Sequence, residues 1–163
     1  MSEGKVGKQQ VAIKEDQFLL LQQQLESMRQ MEELLKWSLA RCKTVNLEKG
    51  SMPDLEGLEK FESLTARFAR FNDILLQKIF RLIDVIDVEH GGTVRDRINR
   101  AEKKGLIDNA IGFIEIRELR NSIAHEYQPE ALSRIFPRVL AFAPVLLDVA
   151  DRVRGYCRQY DGG

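Results

Sequence analysis

Four side chains that could do chemistry stand close together at Arg120, Asn121, His125 and Tyr127, in the run R-N-S-I-A-H-E-Y. An imidazole can move a proton near neutral pH. A guanidinium can hold a phosphate by two parallel hydrogen bonds and stabilise the charge that builds on it. Together they suit acid–base cleavage of a phosphodiester. In RNA the neighbouring 2′-hydroxyl is a built-in nucleophile, so such a scheme needs no metal; DNA lacks that group. One imidazole supplies only one of the base and the acid. A second copy of the group across a two-fold axis, the Tyr127 phenol or a water are candidates for the other, and the residues leave the three open. A purely structural reading is also open. In it, Arg120 pairs with an acid such as Asp73 or Asp84, His125 sits favourably at a helix C-terminus, and the Tyr127 hydroxyl bonds to a neighbour.

These residues need a helix to hold them, and the periodicity predicts one. At about 100° per residue, Phe113, Ile116, Leu119, Ile123, Ala124 and Tyr127 share one face, with Arg120 in its middle. Asn121 and His125 form a parallel line at the edge of that face, and Glu118 extends it. Asp108 is the expected cap. Pro129 ends the helix, because the residue before a proline disfavours the α region, and opens the next one.

The rest of the chain reads as a frame of further helices. Glu15 to Arg41 carries Phe18, Leu21, Leu25, Met28, Leu35 and Leu39 at helical spacing, with Trp37 and Met31 widening the apolar face. A polar connection runs from Cys42 to Gly50. Pro53 is expected to open a long second helix, reaching Val88. Its stripe of Leu58, Phe61, Leu64, Phe68, Phe71, Leu75, Ile79, Leu82 and Ile86 suits packing along another helix. Gly91-Gly92 breaks it. Thr93 caps a short third helix, with Asp96 completing a capping box and Gly105 closing it. The last helix runs from Pro129 towards Tyr156, and Pro137 and Pro144 are each expected to kink or interrupt it. No strand pattern is present. The expected architecture is an all-α, up-and-down bundle of about five helices spanning residues 15–158, with flexible ends at 1–14 and 159–163.

Composition narrows the class of function. Lys plus Arg and Asp plus Glu balance at 25 each, so overall charge argues for neither nucleic acid nor membrane. A local basic strip remains possible on the third helix, where Arg95, Arg97, Arg100, Lys103 and Lys104 form either a phosphate-binding surface or a solvated face. Cys42 and Cys157 lack ligand spacing and read as reduced thiols. No apolar run is long enough to span a membrane, and residues 1–10 lack a signal-peptide core. The expected setting is soluble and cytoplasmic. There is no phosphate-binding loop, dinucleotide fingerprint or zinc motif. With only His90 and His125 the expectation is no metal and no cofactor, His90 being a loop residue.

The run Arg120 to Tyr127 matches the R-x4-H-x-Y motif of HEPN-domain proteins (higher eukaryote and prokaryote nucleotide-binding), and resembles the HepT-type toxin branch most. It falls at the end of the fourth helix of an all-α chain, as in that family. The stretch from Arg67 to Ile107, with R-F-A-R-F-N-D and R-I-N-R-A-E-K-K-G-L-I, is similar to the same group, so the resemblance covers roughly residues 15–158. It implies a homodimeric, metal-independent endoribonuclease, the toxin of a type VII-like toxin–antitoxin pair. It also implies a minimal nucleotidyltransferase antitoxin that attaches AMP to the motif tyrosine. By position, Arg120 and His125 are then catalytic, Asn121 supports them and Tyr127 is modified. Two other readings are a non-catalytic HEPN substrate-binding subunit of a nucleotidyltransferase and a structural helical dimer. The first is expected to lack the intact motif that this chain keeps.

Overall fold

A computed structural model describes residues 12–45, 52–126 and 128–161. Tyr127, the outer parts of both termini and most of the connection before Pro53 lie outside the described residues. All the regular structure described is helical, as the periodicity implied. The elements are α1 (Glu15–Cys42), α2 (Leu55–Asp73), a π-helical segment (Ile74–Ile79), α3 (Phe80–Ile86), α4 (Val94–Lys103), α5 (Ala110–His125), α6 (Pro129–Cys157) and a closing 3-10 turn (Arg158–Tyr160).

Named contacts fix the helix directions. The Cys42 thiol, at the end of α1, donates to the Lys60 carbonyl near the start of α2, so these helices are antiparallel. Phe80 packs on Phe113 while Asp73 meets Arg120, so α5 runs against α2 and α3. Phe61 stacks on Phe136 and Asp87 bonds to Tyr160, so α6 runs along them in the same direction. The long helices thus alternate up and down, with α4 as a short crosspiece. Both α1 and α5 pack on α2 and on α6, on different flanks.

The core between them holds Phe61, Phe68, Phe71, Phe80 and Phe136, all fully buried. Each such ring contributes about 1.5–3 kcal/mol relative to exposure.

Several local expectations are corrected. Asp54 caps α2, accepting from the Gly57 amide at 2.8 Å, so Pro53 stands just before the helix rather than opening it. Asn109, not Asp108, caps α5, its Oδ1 taking the amides of Ile111 and Gly112. Pro137 and Pro144 do not interrupt α6. Both lie on its exposed face, where water can serve the carbonyls that lose their amide partners. The second helix ends at Ile86 rather than Val88, which has a left-handed φ of 58°. A β-branched residue there costs about 1–3 kcal/mol, so surrounding contacts must hold it. Thr93 and Asp96 do form the expected capping box, and Gly105 takes the positive φ that closes α4.

The contacts that hold this turn come from one polar cluster. Asp84, buried on α3, accepts from Arg100 Nε at 2.9 Å and Lys104 Nζ at 2.8 Å. Lys104 also reaches Asp87 at 3.1 Å. The phenols of Tyr156 and Tyr160 both donate to Asp87. The packed body therefore continues past residue 158, since Tyr160 is buried.

Candidate functional site

The α5 helix is anchored by Phe113, Ile116 and Leu119, all buried. Towards its C-terminus the burial fades. Ile123 is half-buried and Ala124 is exposed, so the apolar face does not extend to the end as periodicity suggested. In the last turns Ile123 still packs against the core, while Asn121, Ala124 and His125 are exposed.

Arg120 sits where burial gives way to exposure. Its Nε donates to Asp73 Oδ1 at 2.8 Å and its Nη2 to Asp73 Oδ2 at 2.7 Å, a fork-to-fork pair. The hydrogen bonds to Asp73 hold the guanidinium above arginine's ordinary pKa, while partial burial works against them. Of the two acids weighed for Arg120, Asp73 is the partner; Asp84 serves α4 instead. One edge of the guanidinium is thus occupied. Among the described residues no hydrogen bond is made by Nη1, on the other edge, and the side chain as a whole is 29% accessible.

Asp73 is the last residue of α2, at the point where the helix changes to π winding. A π turn holds an extra residue and rotates the remainder of the helix about its axis. Asn72, next to it, is 1% exposed, and its Nδ2 has no hydrogen-bond partner. The apolar stripe marks the π turn, since its alternation of three and four is broken by two fours at Phe71, Leu75 and Ile79; nothing in the spacing marks the unpartnered amide of Asn72.

Asn121 and His125 are both exposed, and so is Glu118, on the outward side of the helix. Five residues put His125 roughly 140° around the axis from Arg120. The helix therefore presents imidazole and amide outwards while the arginine turns towards α2. The structure brings Arg120 to Asp73; it does not place Arg120 and His125 of one chain on one line. Tyr127 lies outside the described residues.

The five cations of α4 divide. Arg97 donates to the Leu76 carbonyl and to Gln77 Oε1. Arg100 bonds Asp84 and the Gly91 carbonyl, and Lys104 is buried among Asp84, Asp87 and Glu89. Arg95 and Lys103 are exposed. Three of the five thus tie α4 to its neighbours, and two face solvent.

A second surface was not foreseen. Trp37 does not widen the apolar face of α1: it is 55% exposed. The Arg41 guanidinium lies 4.5 Å from its ring centroid and that of Arg67 5.5 Å. Trp37 and Arg41 border a groove of about 380 Å³ between α1 and α2.

Among the described residues no cluster of three or more His, Cys, Asp and Glu is placed to hold a metal ion, and no helix is long and apolar enough to cross a membrane. No known family model matches the sequence, and no curated protein matches it significantly.

Proposed function

We propose that the chain is a metal-independent endoribonuclease, acting as a homodimer, in which Arg120 and His125 are catalytic and Asn121 supports them. The observation that carries this is the state of Arg120. Asp73 fixes its guanidinium along one edge, and Nη1 makes no hydrogen bond among the described residues, on a helix whose end exposes Asn121 and His125. A fixed guanidinium is what a phosphate in a transition state requires, because it does not have to reorganise as charge develops.

In the reaction an RNA 2′-oxygen attacks the adjacent phosphorus as its proton passes to a base. The bond from phosphorus to the 5′-oxygen breaks, and that oxygen takes a proton from an acid. The products are a 2′,3′-cyclic phosphate and a 5′-hydroxyl. His125 supplies one of the two proton transfers. The roughly 140° between Arg120 and His125 favours a site assembled from two chains, with His125 of one copy facing Arg120 of the other. Supporting this, Ile111 is 70% exposed on the same outward line of α5 as Glu118 and His125. An apolar groove between α5 and α6, bordered by Ile107, Phe142 and Val145, lies beside it.

The biological setting is that of a toxin. Its antitoxin is a minimal nucleotidyltransferase that transfers AMP to Tyr127, adding a negative charge and a nucleoside next to the site. The test is purified protein with RNA in the presence of a chelator. Cleavage leaving cyclic phosphate ends is expected, and dependence on added metal would reject the scheme. Co-expression with a neighbouring nucleotidyltransferase should add adenylyl mass at Tyr127 and stop cleavage. Modification at another residue with the same silencing would remove Tyr127 from the account.

A further inference from the structure

We propose that the groove beside Trp37 is a second subsite, which takes a guanine base of single-stranded RNA. It rests on the reading that RNA is the ligand, and it adds where the strand lies and which base it prefers.

Trp37 is the chain's only tryptophan, and more than half of it faces solvent, whereas the phenylalanines of the core are fully buried. It is held in place. Arg67 donates to Ser38 Oγ at 2.5 Å and lies over the indole, as does Arg41. The guanidinium groups cover part of the ring, and the exposed remainder of the indole is a surface on which a base can stack, with positive charge beside it for a phosphate. Lys60 adds a further cation to the groove.

The groove also carries Glu56 and Glu59. Carboxylates would repel a bare polyanion, so the ligand must offer them donors. Guanine does this best among the four bases. Its Watson–Crick edge presents a ring N–H and an amino group side by side, matching the two oxygens of one carboxylate. Adenine and cytosine each present an amino group next to an acceptor, and uracil presents a single N–H between two acceptors. Stacking on Trp37, acceptance by a glutamate and phosphate contact with Arg41 or Lys60 together describe a guanosine phosphate.

The position suits a strand that continues to the catalytic group. Arg67 on one flank of α2 reaches α1, and Asp73 on another flank reaches Arg120 of α5. Ser63, the α2 residue of the groove nearest to Asp73, stands ten residues before it, about 15 Å of helix rise. Arg70 lies between them in sequence and is exposed, so a cation stands along that stretch of α2. A short oligonucleotide can bridge that span.

Because Trp37 is unique, its fluorescence reports this groove alone. The experiment titrates the His125→Ala protein with GMP, AMP, CMP and UMP, and with short oligoribonucleotides that contain or lack G. Saturable quenching is expected with GMP and with the G-containing oligonucleotide, about tenfold weaker with AMP, UMP or CMP, which lack the paired donors. The oligonucleotide should bind more tightly than GMP. The Glu56→Gln, Glu59→Gln double variant should lose the preference for G, and Arg41→Ala should weaken every ligand. Helical circular dichroism checks that each variant folds. No saturable quenching by GMP or the G-containing oligonucleotide overturns the proposal, and so does equal quenching by all four bases. Tight GMP binding without oligonucleotide binding would make this a free-nucleotide site and overturn it as well. Wild-type cleavage of RNA without quenching would remove the subsite and leave the nuclease standing. Quenching without wild-type cleavage would do the reverse.

Discussion

Arg120 and Asp73, 47 residues apart in sequence, form a two-bond ion pair at 2.7 and 2.8 Å. The pair joins the end of α2 to the last turns of α5. It is partly exposed, with side-chain accessibilities of 29% and 42%, so its net contribution to stability is about 1 kcal/mol or less. Its geometric effect is larger, because the arginine cannot swing while both bonds hold.

The first prediction separates those two effects. Asp73→Ala should change stability by no more than about 1 kcal/mol and lower RNA cleavage by an order of magnitude or more. Arg120→Lys should abolish cleavage despite keeping the charge, since an ammonium cannot fork to Asp73 and a phosphate together. Chemical denaturation beside a cleavage assay measures both. Full activity in Asp73→Ala would show that the pair is structural only.

His125 is exposed at a helix end, so His125→Ala should fold with a stability change within about 0.5 kcal/mol. Cleavage should fall to background in the same preparation. Activity near wild type would remove His125 from the site.

The cluster behind α4 should govern stability in alkali. Burial lowers the Lys104 pKa, but the hydrogen bonds and charges of Asp84 and Asp87 outweigh it and hold the ammonium above its ordinary value. Burial and the bond to Asp87 push both Tyr156 and Tyr160 upward too. All three bind their protons more tightly when folded. Their contribution is therefore complete below the ordinary values, about 10 for tyrosine and 10.4 for lysine, and is lost as pH rises through the raised ones. Thermal melts should stay level to about pH 9.5 and then fall steeply. Asp84→Ala should cost about 3 kcal/mol even at neutral pH, the low end for a broken buried pair because Asp87 still serves Lys104.

Both thiols should be silent in the native protein. Burial raises Cys42, and burial with the nearby charge of Asp87 pushes Cys157 up to about 12. At about pH 8 a thiol reagent should label neither cysteine until denaturant is added, and then both. Rapid labelling of folded protein at Cys157 would contradict the packing of the α6 C-terminus.

The sequence by itself determined the helices and most of their ends. A periodic apolar stripe has one low-energy solution in water, and local signals such as Thr93 with Asp96, or Gly105, act within a few residues. The cluster from Arg120 to Tyr127 was legible for the same reason, since its members lie within two turns. Even Asp73 stood among the acids available to Arg120, but only the packing of α5 on α2 chose it over Asp84. Tertiary structure alone decided the rest. The buried, unpartnered amide of Asn72 beside the π turn has no signal in the sequence. Arg97, Arg100 and Lys104 turn inward because acceptors on other elements wait there, which no spacing within α4 reveals. Trp37, apolar in type and near the apolar stripe, stays outside because Arg67 of α2 and Arg41 of its own helix meet it at the surface. Such choices depend on which helix lies alongside, and a one-dimensional pattern records the face of a helix without recording its neighbour.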